Sequence, residues 1–256
     1  MTKSALVVSA HPEPTSLTQT LAKTSVETLT RMGLQVQTSD LYQMKWKAVV
    51  DETDFPQDDS QAPLAIIAAS GKAYHSNTLT EDVIQEQQKL LAADLVIFHF
   101  PLWWYSVPAI LKGWFDRVYA YGFAYGYQNK GNQLRYGEGV LQGKRALICV
   151  TTGGGYEDYS TLGINGTMDE LLFPITHGTL FFPGMDVLQN HVIFDAKGEP
   201  NQRIADEIVN WSERLTQVFS EQPIPYRKQN SGDYINGQVL KAEVAMGKSG
   251  IAAHIA

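Results

Sequence analysis

Cysteine is nearly missing from this chain. Cys149 stands alone among 256 residues, which excludes an intramolecular disulfide framework and a cysteine-rich zinc site. Long apolar runs are missing too: no stretch approaches the roughly 18–20 residues of a membrane span, and the first ten residues are too short for a secretory signal. Positive charge is in deficit, 20 lysines and arginines against 27 aspartates and glutamates, for a net charge of −7. That balance argues against a general nucleic-acid or anionic-membrane surface but leaves room for a local phosphate site. The loop after the first strand holds no Walker Gly-Lys-Ser/Thr and no GxGxxG fingerprint, and the chain has no GxSxG elbow. His11, His75, His99, His177, His191 and His254 are scattered without metal-ligand spacing, so no metal is expected. The expectation is a soluble, cytoplasmic globular protein.

What is present alternates between strands and helices. Leu6 to Ala10 is a β-prone run stopped by His11-Pro12-Glu13-Pro14. A helix follows, with Ser16 and Gln19 as a capping box and Leu17, Leu21, Leu29 and Met32 near one face before Gly33. Leu34 to Gln37 alternates as a second strand. Residues 42–79 read as irregular, with acidic clusters at Asp51-Glu52 and Asp58-Asp59. Thr80 is expected to cap a helix whose inner face carries Val83, Ile84, Gln87, Leu90 and Leu91. Leu95 to Phe100 is the strongest strand, apolar on both faces except at His99, as a central parallel strand should be. Pro108 opens a helix through Trp114, Phe115 and Val118. Arg145 to Thr151 is another strand, in which Cys149 reads as a small buried hydrophobe. Helices near 166–177 and 201–219 flank a last strand around Val187 to Phe194.

About five strands and as many helices at βαβ spacing predict an α/β, flavodoxin-like doubly wound parallel sheet with helices on both faces. Residues 1–220 form its domain and 221–256 a C-terminal extension with weak periodicity. Ligands in such a fold bind beyond the carboxyl ends of the strands, which selects three loops: 10–18, 101–107 and 151–165.

The first loop offers the hydroxyls of Thr15, Ser16 and Thr18 at a helix N-terminus, a setting for a flavin phosphate or for plain capping. The second sets Trp103, Trp104 and Tyr105 between Pro101 and Pro108, a rigid wall for a planar ligand or for apolar packing. Three adjacent aromatics cannot all point inward. The third, Thr151-Thr152-Gly153-Gly154-Gly155-Tyr156, permits close backbone approach, with Tyr159 and Asn165 as nearby donors. Trp114, Phe115, Tyr119, Tyr121 and Phe123 are more aromatic surface than a monomer is expected to expose, which points to a homodimer.

The run Phe100-Pro101-Leu102-Trp103-Trp104-Tyr105-Ser106-Val107-Pro108-Ala109-Ile110-Leu111-Lys112-Gly113-Trp114-Phe115-Asp116-Arg117-Val118 resembles the signature of the NAD(P)H:quinone oxidoreductases, the DT-diaphorase family. Phe123 to Tyr127, Thr151 to Gly154, Pro174 to Phe182 and Gly237 to Val244 continue the resemblance in order.

The resemblance implies an FAD enzyme, with FMN less favoured, that passes hydride from NADPH or NADH to quinones in a ping-pong cycle. It implies a homodimer with active sites at the interface. His11, Ser16, Leu17 and Thr18 match the flavin-phosphate region. Pro101, Leu102, Trp104 and Tyr105 match the isoalloxazine wall, which Trp103 adjoins, and Thr151, Thr152, Gly153, Gly154 and Tyr159 match the other flavin contacts. Arg203 matches a residue near the adenylate end. Tyr125 and Tyr127 match side chains that the second subunit places over the substrate pocket, with Phe182 on its wall, and Trp104, Tyr105 and Gly154 are shared between flavin and substrate. Tyr159 and Asn165 match the charge-stabilising pair. The chain departs from the family at Ala65, where a glutamine is usual, and at Asn165, where one branch has histidine. A branch with asparagine prefers dihydronicotinamide ribosides. The competing reading is a flavin-binding regulatory subunit of a potassium-efflux system, as some shorter relatives in the superfamily are.

Overall fold

The strand with no polar face, β3 (Leu95–Pro101), is buried along its whole length at the centre of a parallel sheet. The computed structural model describes residues 2–56, 63–197 and 202–256, so Asp58-Asp59 lies outside the described residues. β1 (Ser4–Ser9) pairs with β3 on one side and carries β2 (Gln35–Asp40) beyond it. On the other side β4 (Arg145–Thr151) pairs with β5 (Asp186–Val187) and, further along, with β6 (His191–Ile193). The order β2-β1-β3-β4-β5 reverses direction between β1 and β3, which makes the ends of those strands the switch point of a flavodoxin-like sheet.

Parallel neighbours need crossovers, and the helices supply them on both faces. α1 (Leu17–Arg31) and α6 (Gln202–Thr216) cover one face, where Leu21, Leu29, Trp211 and Leu215 meet Val7, Ile97 and Leu147. α3 (Glu81–Ala92), α4 (Ala109–Val118) and α5 (Met168–Ile175) contribute to the other, where Val83, Leu90, Trp114 and Leu172 meet Val8, Phe98 and Ile148. Alternate residues of β3 thus feed two separate cores.

Several elements differ from the sequence expectation, each for a physical reason. The 42–79 stretch contains α2 (Ile66–His75), which buries only the small residues Ala69, Ser70, Gly71 and Ala73. A Cβ on Gly71 would come within 2.9 Å of the Tyr121 ring, so close approach replaces the large apolar stripe that periodicity detects. The last strand is split into β5 and β6. Ser16 does cap α1, but Gln19 leaves the box and donates instead to His11 O at 3.2 Å and Asp40 Oδ2 at 3.1 Å. Thr80 caps no N–H of α3; its hydroxyl accepts from Arg117. Leu91 faces solvent, and Glu86 takes the inner position, bonded to Ser39, Lys89 and Trp114 Nε1. Finally, Trp114, Phe115 and Phe123 are buried in their own chain, so they supply no exposed aromatic surface for a second copy.

Arg117 explains the altered capping. Its side chain is buried, with Nε 2.8 Å from Asp54 and Nη1 2.6 Å from Asp82, and its guanidinium lies 4.5 Å from the Trp46 ring. Burial would raise the Asp82 carboxyl, but the hydrogen bonds from Arg117 and Thr80 outweigh it and hold the group below the usual carboxylate range. The tail folds back on the sheet: Ile224 N donates to Val187 O, Tyr226 bonds Thr176, and β7 (Tyr234–Ile235) pairs with β8 (Val239–Leu240) as a hairpin. No helix among the described residues is long and apolar enough to cross a membrane.

Candidate active site

A cleft of about 790 Å3 opens where the switch-point rule places it, beyond the carboxyl ends of β1, β3 and β4. The β1–α1 loop forms one end. Ser16 accepts from Gln19 N, which leaves its own hydroxyl hydrogen to donate, while Leu17 and Thr18 open α1 with N–H groups that have no intrahelical acceptor. The Thr18 and Thr151 hydroxyls lie 3.0 Å apart, tying α1 to the end of β4. His11 Nδ1 accepts from Glu13 N at 3.0 Å, so a neutral His11 carries its proton on Nε2. Hydrogen bonds from Thr15 hold the Glu13 carboxylate below its usual range, so this wall is not uniformly positive.

The β3–α4 loop is a tight turn rather than a flat wall. Trp103 and Ser106 exchange both backbone hydrogen bonds at 3.1 Å, with Trp104 and Tyr105 between them at φ 49° and 59°. Such a two-residue turn ordinarily takes Asn-Gly, because both central residues have positive φ. Two large aromatics instead occupy strained backbone, each at a cost of order 1–3 kcal/mol. Trp104 is 91% exposed, Trp103 leans toward the His11 ring at 6.1 Å, and the Tyr105 hydroxyl donates to Asn165 Oδ1 at 3.0 Å.

The β4–α5 loop completes the cleft with Thr151, Thr152 and Gly153. Tyr159 packs on Phe194, and its hydroxyl lies 2.9 Å from Thr152 Oγ1. Thr152 Oγ1 also accepts from Gly154 N at 3.3 Å. If Thr152 donates to Tyr159, the tyrosine proton is free for a ligand. Gly154 must be glycine here, since a Cβ would meet the Tyr159 ring at 2.8 Å. Asn165 spends its carbonyl on Tyr105, leaving its NH2 as a donor. It does not cap α5, whose cap is Thr167 in a reciprocal box with Glu170.

The sequence profile of the flavodoxin-like fold family matches residues 3–215. A ribosyldihydronicotinamide dehydrogenase-like protein of Penicillium crustosum is 49% identical over 232 residues, 90% of this chain and 86% of its own length. NAD(P)H dehydrogenase (quinone) 1 of Rattus norvegicus is 38% identical over 245 residues, 94% of this chain and 87% of its own. The chain belongs to the NAD(P)H:quinone oxidoreductase family. A solved chain from Klebsiella pneumoniae, described as a quinone reductase, superposes with a TM-score of 0.95 at 45% identity and full coverage of both chains.

In this family member, His11, Ser16, Leu17, Thr18, Pro101, Leu102, Trp103, Thr151, Thr152 and Gly153 all line one cleft. Trp104, Tyr105, Gly154, Tyr159 and Asn165 stand in the loops around it. Tyr125 and Phe182 do not reach it: Tyr125 stacks edge-on against Tyr121, and Phe182 against Tyr136. Tyr127 lies outside the cleft lining as well, in the short turn Tyr127–Asn129. Arg203 is exposed and donates to Asp195 O, outside the cleft lining. Ala65 flanks α2, away from the cleft. Sequence reading missed Ala196, Lys197, Ile204 and Ile208, which close the cleft from beyond β6 and from α6. Only the sheet order brings them beside the first loop; no local pattern marks them.

Proposed function

We propose that this enzyme binds FAD in the cleft and uses it to transfer a hydride from a dihydronicotinamide to a quinone or similar planar acceptor, one after the other in a ping-pong cycle. The observation that carries the reading is the strained Trp104-Tyr105 turn, tied through Asn165 to the glycine loop at the mouth of the cleft. Strain of this kind is retained where a ligand uses it. The donor set also fits a flavin. Ser16, Thr18 and the open N–H groups of Leu17 and Thr18 suit phosphates, with Lys197 as the one lysine in the lining. Extension of the cleft to Ile204 and Ile208, beside Arg203, favours FAD over the shorter FMN.

The bound flavin would supply a two-electron carrier. The chain's part is positioning and charge stabilisation. Thr151, Thr152, Gly153 and Gly154 allow close backbone approach, and Pro101, Leu102 and Trp103 line the facing side of the cleft, with Trp104 and Tyr105 at its mouth. Tyr159, held by Thr152, and the Asn165 amide are donors for an oxygen that gains negative charge during hydride transfer, which lowers the barrier only if they are already in place. Asn165 is neutral, and the 49% identical relative is named for ribosyldihydronicotinamide, so the riboside joins NADH and NADPH as a donor.

The reading includes a homodimer. Tyr125, Tyr127 and Phe182 are off their own chain's cleft and so act at the cleft of a second copy, and the exposed Trp104, Leu162 and Ile164 would then be covered. Residues 221–256 act as an appendage to the flavin domain of 1–220, and a single buried thiol suits the cytoplasm. Purified protein incubated with FAD or FMN, then assayed on 2-methyl-1,4-naphthoquinone with NADH, NADPH and dihydronicotinamide riboside, tests the proposal. It predicts yellow, FAD-retaining dimeric protein that turns over the quinone, and a tenfold or greater loss in Tyr159→Phe. Colourless, inactive protein overturns it.

A further inference from the structure

Two loops that follow different strands meet at the mouth of the cleft through one side-chain hydrogen bond. The Tyr105 hydroxyl, in the turn after β3, donates to Asn165 Oδ1 at 3.0 Å, in the loop after β4. Both ends of that bond are braced. Tyr105 sits at φ 59° in a turn closed by the paired backbone bonds between Trp103 and Ser106. Asn165 N donates to Asp158 O at 3.0 Å. Two residues earlier, a Cβ on Gly163 would clash with the carbonyl oxygens of Glu157 and Asp158, so the loop lies flat on that turn. With the backbone fixed, the part of Asn165 still able to rotate is its side-chain amide, and that is the part Tyr105 holds.

The two ends of that amide have opposite character. Oδ1 accepts, NH2 donates, and a half-turn of the side chain exchanges them. With Oδ1 engaged by Tyr105, Asn165 presents its NH2, which has no acceptor among the described residues. Tyr159 adds a second donor of the same kind. Thr152 Oγ1 accepts from Gly154 N and can give its own hydrogen to the Tyr159 oxygen, which turns the tyrosine proton outward. The mouth is therefore set to donate. A quinone oxygen can only accept, so it suits two donors. Once the quinone has gained a hydride and a proton, its product carries two hydroxyls, each of which needs an acceptor for its hydrogen. A freely turning asparagine would bring Oδ1 round to meet such a hydroxyl. One held by Tyr105 does not.

We propose that Tyr105 is a positioning residue whose hydroxyl locks the Asn165 amide with its donor end toward the ligand, so that the site prefers planar carbonyl compounds to their hydroxyl counterparts, and quinone to hydroquinone. This preference rests on the cleft taking quinones, as proposed above. Equilibrium titration of the FAD-loaded full chain, followed by flavin absorbance, tests it with chromone as the carbonyl probe and 1-naphthol as the hydroxyl probe. Chromone should bind more tightly to the wild type. In Tyr105→Phe, which keeps the ring, the ratio of chromone to naphthol affinity should fall about fivefold, the scale of one neutral hydrogen bond. Asn165→Asp presents an acceptor whichever way it turns and should favour 1-naphthol. Once Asn165→Ala is in place, adding Tyr105→Phe should change the ratio by less than about twofold. An unchanged ratio in Tyr105→Phe, a fall that persists without the Asn165 amide, an Asn165→Asp variant that still favours chromone, or a wild type that favours naphthol would each overturn the assignment alone. Binding of neither probe would overturn the quinone cleft itself, and this preference with it.

Discussion

Replacing Trp104 by asparagine should make the flavin-free protein more stable and the flavin-loaded protein a poorer enzyme. Trp104 holds φ at 49° with its side chain 91% exposed, so the folded apoprotein gains almost no burial from the ring while bearing its backbone strain. Left-handed backbone costs most residues roughly 1–2 kcal/mol, and asparagine bears it better than tryptophan. The substitution should therefore recover about 0.5–1 kcal/mol, or roughly 1–4 °C in melting temperature for a chain of this size. With flavin bound the sign reverses. Loss of a stacked ring removes on the order of 2 kcal/mol of contact and burial, close to thirtyfold in affinity. Paired thermal melts of apo and FAD-saturated protein, with fluorescence titration of flavin, read both arms. A lower melting temperature in the apo variant would refute the strain argument. Unchanged FAD affinity would remove Trp104 from the site.

Arg117→Met should cost about 3 kcal/mol, since it takes the buried partner from Asp54 Oδ1 and leaves Lys47 as that carboxylate's remaining cation, and urea unfolding would show it; a loss below about 1 kcal/mol would mean the buried pair is dispensable. Burial depresses His99 to about 3 and His177 and His191 to about 4, against roughly 6.5 in the unfolded chain. The unfolded state therefore takes up protons that the folded state refuses, so stability is full above pH 7 and falls as pH drops from about 6.5 toward 4. Each histidine contributes up to about 1.4 kcal/mol per pH unit in that window, and a urea midpoint that stays flat from pH 7 to 5 would contradict the burial. Gly154→Ala should displace Tyr159 and slow turnover. Gly153→Ala meets nothing closer than Lys197 Cδ at 3.7 Å, so it should keep its melting temperature and lose flavin affinity by intruding on the cleft. Equal behaviour of the two variants in both assays would contradict this.

The sheet was legible because β3 is apolar on both faces and the helices between strands carry ordinary stripes. The loops followed from strand order, since a doubly wound sheet leaves few places for a ligand. Three features escaped. α2 packs through Gly71 against Tyr121 and through Ala69 and Ala73 into the core, and small residues carry no periodic apolar signal. The turn at Trp104 and Tyr105 breaks the rule that positive φ calls for glycine or asparagine, so the residues read as an ordinary rigid loop. Lys197, Ile204 and Ile208 reach the cleft only through topology. The number of aromatic residues around Trp114 suggests exposed surface, but Trp114 and Phe115 sit on the core face of α4 and Phe123 is buried beyond it, so only Tyr119 and Tyr121 keep partial exposure.

The central claim is that one flavin in one cleft serves donor and acceptor in turn. Anaerobic stopped-flow separates the two half-reactions of the FAD-loaded protein. Dihydronicotinamide riboside should bleach the flavin absorbance in a first mix, and 2-methyl-1,4-naphthoquinone should restore it in a second with no donor present. Steady-state plots at several quinone concentrations should then give parallel lines. A flavin that bleaches only when quinone is already bound, or intersecting lines, would contradict the account.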